Sequence, residues 1–224
     1  MSDRARQLIL DLGVRAAYGL EDFMVAEPNR AAVAWIDAWP SWPGGMLALA
    51  GPPGSGKTHL AQVWRARSGA RPLDPARLAA LTPPELIGDA PALLLDDLRE
   101  PVPERPLLHL LNHLAEQRRH LLIAAREPPA RWTIGLADLG SRLSALPAVA
   151  IGAPDDALLG AVIAKLFRDR QLEVAAEVVD YLLPRMERSL AAAQDLVAAL
   201  DRAALAGRRP ITVALARTVL ADTE

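Results

Sequence analysis

The run Gly51-Pro52-Pro53-Gly54-Ser55-Gly56-Lys57-Thr58 follows five apolar residues, Met46-Leu47-Ala48-Leu49-Ala50, without a break, and a helical pattern continues over 58–67. A buried strand that ends in a glycine-rich turn and opens a helix points successive backbone N–H groups at a phosphate, and the helix adds its positive end. Lys57 supplies a neutralising charge and Thr58 a hydroxyl ligand for magnesium. All eight positions, Gly51, Pro52, Pro53, Gly54, Ser55, Gly56, Lys57 and Thr58, are therefore candidate nucleotide-binding residues, with ATP or ADP and Mg2+ as the expected ligands.

Such a site needs an acidic residue at the end of a neighbouring buried strand, and Leu93-Leu94-Leu95-Asp96-Asp97 provides one. Asp96 is expected to hold magnesium through water, beside Thr58. Asp97 stands where a carboxylate can orient or deprotonate an attacking water; the plainer alternative is that the pair caps the next loop. His109 and His113 are four apart on a predicted helix, but Leu110 occupies the glutamate position of a zinc protease motif. They read as ordinary histidines on a helix face.

Buried strands at 46–50, 92–95 and 121–125 alternate with helical spacing at 29–39, 58–67 and 107–119. That alternation predicts an α/β core, a parallel sheet with helices on both faces. After Pro154 only helical patterns remain. Asp155 or Asp156 caps a helix toward Arg170, and further helices fit 174–183, 190–206 and 213–221, with Pro184 and Gly207 as stops. The expected organisation is an arm over 1–14, an α/β nucleotide-binding domain over 15–153 and a small all-helical lid over 154–224.

Net charge is −2 and the pI is near 6.1, without the basic excess that holding DNA phosphates requires, so direct sequence-specific DNA binding is disfavoured. The absence of cysteine excludes disulfides and thiolate metal sites. No apolar run approaches the roughly 20 residues of a membrane span. Asp11 interrupts the apolar stretch near the N-terminus, which argues against a secretory signal, and a cytoplasmic location is expected.

These motifs resemble the DnaA-related AAA+ family, P-loop NTPases with a helical lid, and most closely its short regulatory branch, typified by Hda. The phosphate run, the Asp96-Asp97 pair and the lid sequence Leu200-Asp201-Arg202-Ala203 carry the likeness. So do Phe23-Met24-Val25 with Asn29-Arg30-Ala31, similar to the family's segment near adenine. Ala137-Asp138-Leu139-Gly140-Ser141-Arg142-Leu143 is similar to the box whose arginine reaches a neighbouring subunit's nucleotide. The arm Gln7-Leu8-Ile9-Leu10-Asp11-Leu12 resembles the peptide by which such regulators dock on the sliding clamp, the beta subunit of DNA polymerase III; Gln7, Leu8, Leu10 and Leu12 would bind there.

The sequence ends at Glu224, where an initiator continues into a helix-turn-helix domain, and only 38 residues separate Lys57 from Asp96. Both lengths favour the regulator. The resemblance implies an adaptor at the replisome or nucleoid that stimulates hydrolysis of ATP bound to the initiator DnaA and so prevents re-initiation. Asp97 and Arg142 would be its catalytic residues, and a homodimer is possible. Ala124 and Ala125 replace family polar residues at the end of the third strand, and Ala191 replaces the lid arginine; Arg188, one turn away, is a candidate substitute. Those losses imply at most a weak ATPase of its own. The alternatives are a self-contained P-loop ATPase or helicase-loader-like protein acting through its own homo-oligomer, and a passive module that keeps nucleotide as a structural ligand.

Overall fold

The computed structural model describes residues 23–221. The arm with Gln7, Leu8, Leu10 and Leu12 lies outside the described residues.

Helix α1 (Arg30–Asp37) leads to strand β1 (Met46–Ala50), the phosphate run and helix α2 (Lys57–Ser68). Strand β2 (Arg71–Leu73), helix α3 (Pro83–Ile87), strand β3 (Ala92–Leu98), helix α4 (Glu104–Glu116), strand β4 (His120–Ala125), helix α5 (Ala137–Ala145) and strand β5 (Ala148–Ala150) complete the core. The strands form one sheet in the order β2-β3-β4-β1-β5, and every pairing is parallel. The predicted parallel α/β core is present. Two short edge strands, β2 and β5, and the helices α3 and α5 add to what periodicity indicated.

Parallel strands covered on both faces read as unbroken apolar runs, and all five residues of β1 are buried. Alternate side chains serve the two faces. Met46, Ala48, Leu93, Leu95, Leu121 and Ile123 pack with the leucines of α4 and with Leu139 and Leu143 of α5. Leu47, Leu49, Leu94 and Leu122 pack on the other face with α1, α2 and the tryptophans Trp42 and Trp64, whose rings stack at 5.3 Å.

Because the strands are parallel, their C-terminal ends share one edge. Ala50 is level with Ala125, so the phosphate run leaves the sheet beside the end of β4; Met46 and Leu121 mark the opposite edge. The register between β3 and β4 shifts between Leu95 and Leu98, across the Asp96-Asp97 pair, and Asp97 adopts φ 55°. Strand β3 thus runs past the acidic pair instead of ending before it.

Four helices follow: α6 (Asp156–Asp169), α7 (Ala176–Leu182), α8 (Leu190–Gly207) and α9 (Val213–Ala221), packed on an apolar cluster of their own that includes Leu159, Ile163, Val197 and Leu200. Asp155, not Asp156, caps α6, its side chain accepting from Leu158 N–H at 2.8 Å. Helix α8 passes through Gly207 and stops at Arg208, which takes the left-handed conformation (φ 46°) expected of a glycine there. The expectation that Gly207 ends the helix is corrected by one residue. Among the described residues no helix is long and apolar enough to cross a membrane.

Candidate functional site

The phosphate run wraps the C-terminal edge of the sheet. Gly54 and Gly56 take positive φ angles, 69° and 98°, and Gly56 forms the start of α2. A Cβ at Gly51 would stand 2.3 Å from the Ile151 carbonyl oxygen, and one at Gly54 2.3 Å from Cβ of Ser189. Glycine is therefore required at 51 by close backbone approach and at 54 by both conformation and space. Ser55 is buried, and its Oγ has no hydrogen-bond partner.

Lys57 Nζ donates to the carbonyls of Gly51 at 2.7 Å and Pro52 at 2.8 Å, lying back over the loop. Partial burial lowers its pKa, while Asp96 and Asp97 pull it up and Arg126 adds to the lowering. Thr58 Oγ1 donates to Asp96 Oδ1 at 3.3 Å, so the two expected metal-side oxygens are adjacent; Asp97 N–H also donates to Asp96 Oδ1, at 2.9 Å. Neighbouring hydroxyl and carboxylate oxygens suit Mg2+, which takes few protein ligands and keeps its water. The glycine cradle, the orphaned Ser55 hydroxyl and this oxygen pair fit a magnesium-bound polyphosphate.

Asp97 is exposed and paired with Arg99, whose Nε donates to Asp97 Oδ1 at 2.9 Å while a second guanidinium nitrogen reaches Oδ2. The hydrogen bond from Arg99 holds the Asp97 carboxyl below its ordinary range. A carboxylate so stabilised is a weak proton acceptor and a fixed hydrogen-bond acceptor. In this arrangement Asp97 is better suited to orienting water than to deprotonating it.

A cavity of about 540 Å³ continues from the loop under the lid. Phe23, Met24 and Asn29 line one side, Lys57 and Thr58 the floor, and Lys165, Leu190 and Ala191 the lid side. Asn29 is buried and braces the segment before α1, accepting from Ala26 N–H at 2.8 Å and donating to the Met24 carbonyl at 2.9 Å. The lid touches the loop through its backbone: Leu190 N–H donates to the Gly54 carbonyl at 2.9 Å. Ala191 stands where the resemblance places it, facing the cavity, whereas Arg188 pairs with Asp156 at the surface. Arg188 is accordingly not the cavity's replacement cation.

Arg126 was missed by sequence reasoning. It follows Ala125 at the end of β4, its carbonyl accepts from Gly51 N–H at 3.1 Å, and its charge acts on both Lys57 and Asp97. The available signal was its position: the residue next after a buried strand, on the edge that also carries Asp96.

Arg142 lies elsewhere. Exposed on α5, it borders a notch of about 190 Å³ with Pro43, Gly44 and Met46, at the N-terminal end of β1. The length of β1, roughly 13 Å, separates that end from the phosphate run. His113 bonds Gln117 along α4 at 2.8 Å, and His109 is exposed. No group of three or more potential metal-ligating side chains occurs among the described residues.

A phosphate loop leading from a parallel strand into a helix, a carboxylate on the next strand but one beside Thr58 and a helical lid bonded to that loop define a P-loop protein with the AAA+ fold. Residues 160–220 match the family model described as the Hda lid domain. Sequence comparison with curated proteins gives no match. Among solved structures, domain III of the Thermotoga maritima replication initiation protein DnaA superposes with TM-score 0.79 at 18% identity, covering 93% of this chain and 97% of that one. DnaA from Aquifex aeolicus bound to AMPPCP gives 0.68 at 22%, covering 82% and 65%. The Thermotoga maritima RuvB Holliday junction branch migration motor gives 0.60 at 14%, covering 79% and 61%. At these identities the superpositions establish the AAA+ fold, and over residues 160–220 the chain is similar to the Hda lid domain.

Proposed function

We propose that the chain is a regulator of replication initiation that binds ATP or ADP in the cavity beneath its lid, docks on the DNA polymerase sliding clamp, and stimulates hydrolysis of ATP held by the initiator DnaA. Nucleotide binding is supported by the loop, whose glycines free its backbone to turn and which carries the Lys57 cation and the Thr58 hydroxyl beside Asp96. AMPPCP occupies DnaA structures of the same fold. Thr58 and Asp96 would hold Mg2+, which when bound draws charge away from the terminal phosphates. Arg126 and Lys57 add cationic charge to the same edge, and Asp97 orients water.

The observation that carries the trans-acting role is the position of Arg142. It is exposed at the edge of the sheet opposite the chain's own phosphate loop, and no ion pair holds it among the described residues. An arginine so placed can serve only a nucleotide on another subunit, where a guanidinium delivered to the transferring phosphoryl group raises the rate about 10³- to 10⁵-fold. Docking on the clamp is assigned to Gln7, Leu8, Leu10 and Leu12, a polar rim contact followed by apolar anchors.

The test is phosphate release from ATP-loaded DnaA in the presence of DNA-loaded clamp. The wild-type chain should stimulate release, Arg142→Ala should abolish stimulation, and Gln7→Ala should weaken it only when clamp is present. The complete loop with its Thr58–Asp96 pair favours one rival, an ATPase completed by Arg142 of an identical copy. Specific activity that rises with the chain's own concentration, without DnaA, would replace the first reading with that one.

A further inference from the structure

Helix α5 carries Arg142 but lacks a cap from its own sequence. Its N-cap residue is Leu136, which offers no side-chain acceptor, and its third helical residue is the apolar Leu139, so neither half of a capping box exists locally. The acceptors come from across the fold. Glu104, the first residue of α4, accepts from Gly135 N–H on Oε1 at 2.9 Å and from Leu136 N–H on Oε2 at 2.7 Å. Glu100, in the turn before α4, accepts from Thr133 N–H at 2.7 Å. The loop at 133–136 is thus tied at three of its four amides by two carboxylates from the segment that follows β3.

Charged acceptors on backbone amides at a helix start make strong, oriented hydrogen bonds, and the helix dipole favours a negative charge there. Leu139 and Leu143 bury one side of α5 against the sheet and α4, which sets its rotation. The Glu104 carboxylate sets where its axis begins. Arg142 is six residues beyond Leu136, about 9 Å along the helix, so a displacement of the helix start is passed to the guanidinium.

We propose that Glu104, assisted by Glu100, is the positioning residue for Arg142, giving the N-cap amide of α5 the carboxylate that a local capping-box glutamate would supply and aiming the arginine at the neighbouring subunit's nucleotide. The proposal rests on the trans-acting reading of Arg142. Glu104→Gln keeps the shape of the side chain but turns one acceptor into a donor, setting N–H against N–H at Gly135 or Leu136. Misplacement of a catalytic group by about 1 Å can lower rate about 100-fold.

In the DnaA assay, Glu104→Gln should lower maximal stimulation about 10- to 100-fold without changing the concentration for half-maximal effect or the chain's own nucleotide affinity. Amide exchange at Gly135, Leu136 and the first turn of α5 should quicken in Glu104→Gln, with the rest of the core unchanged. Wild-type stimulation that Arg142→Ala removes and Glu104→Gln retains would overturn the positioning proposal alone. So would exchange at α5 that is the same in Glu104→Gln and wild type. No stimulation by the wild-type chain would overturn the functional reading itself, and this proposal with it.

Discussion

Arg126 follows the last residue of β4, its backbone is bonded to Gly51, and its charge acts on Lys57 and Asp97. Hydrogen bonds to charged groups contribute about 1.5–3 kcal/mol, so Arg126→Ala should weaken ATP binding roughly 10- to 100-fold, read by titration with a fluorescent analogue. The lid side invites the opposite change. Ala191 faces the same cavity, and Ala191→Arg should tighten binding, whereas Arg188→Ala should leave it unchanged because Arg188 is engaged with Asp156. Ala191 was legible through the family resemblance alone, on an ungapped match from Leu182-Leu183 to Asp201-Arg202. The fate of Arg188 was not, since its partner lies 32 residues away. Asp97 gives a pH test. Its folded pKa is depressed by Arg99 below the ordinary 3.8, so its contribution is complete above that value and is lost as pH falls through the lower, folded one. The pair is more than half exposed, so solvent screens it and its contribution to stability is small. Carboxyl carbon NMR should show Asp97 titrating below its ordinary value in wild type and nearer to it in Arg99→Ala.

At the scale of elements, the long runs were readable and the short ones were not. Strands β1, β3 and β4 announce themselves through apolar stretches that both faces of the sheet require. Strand β2 is Arg-Pro-Leu, with two of three residues exposed, and β5 is Ala-Val-Ala with only Val149 buried. Neither offers alternation long enough to detect; their pairing partners, far away in sequence, create them. The join between lid and loop was equally unreadable, being a bond from the Leu190 amide to the Gly54 carbonyl. It can still be deleted cleanly. Leu190 is the first residue of α8, where proline is tolerated, and Ser189 before it is already extended (φ −141°, ψ 149°). Leu190→Pro removes the N–H and Leu190→Ala does not. The proline variant should be less stable than the alanine variant by about 0.5–1.5 kcal/mol in denaturant unfolding. Gly54→Ala should be worse than a lost bond, because it meets Ser189 and holds a positive φ at once.

For the whole molecule, the lid has its own core, and Leu200 within it is fully buried. Leu200→Ala should cost about 2–5 kcal/mol, seen as a lowered unfolding midpoint. Arg142 and the phosphate loop, in contrast, occupy opposite edges of one sheet. On the proposed reading the molecule has polarity: one end gives an arginine and the other receives one. A contact between unlike ends is head-to-tail, and it repeats along a line unless its rotation closes a ring. On the proposed reading, a linear array of nucleotide-bearing partners presents this chain with a single acceptor terminus, however many subunits it contains. Stimulation would then be counted in array ends, and a few molecules of this chain would saturate a long array as readily as a short one.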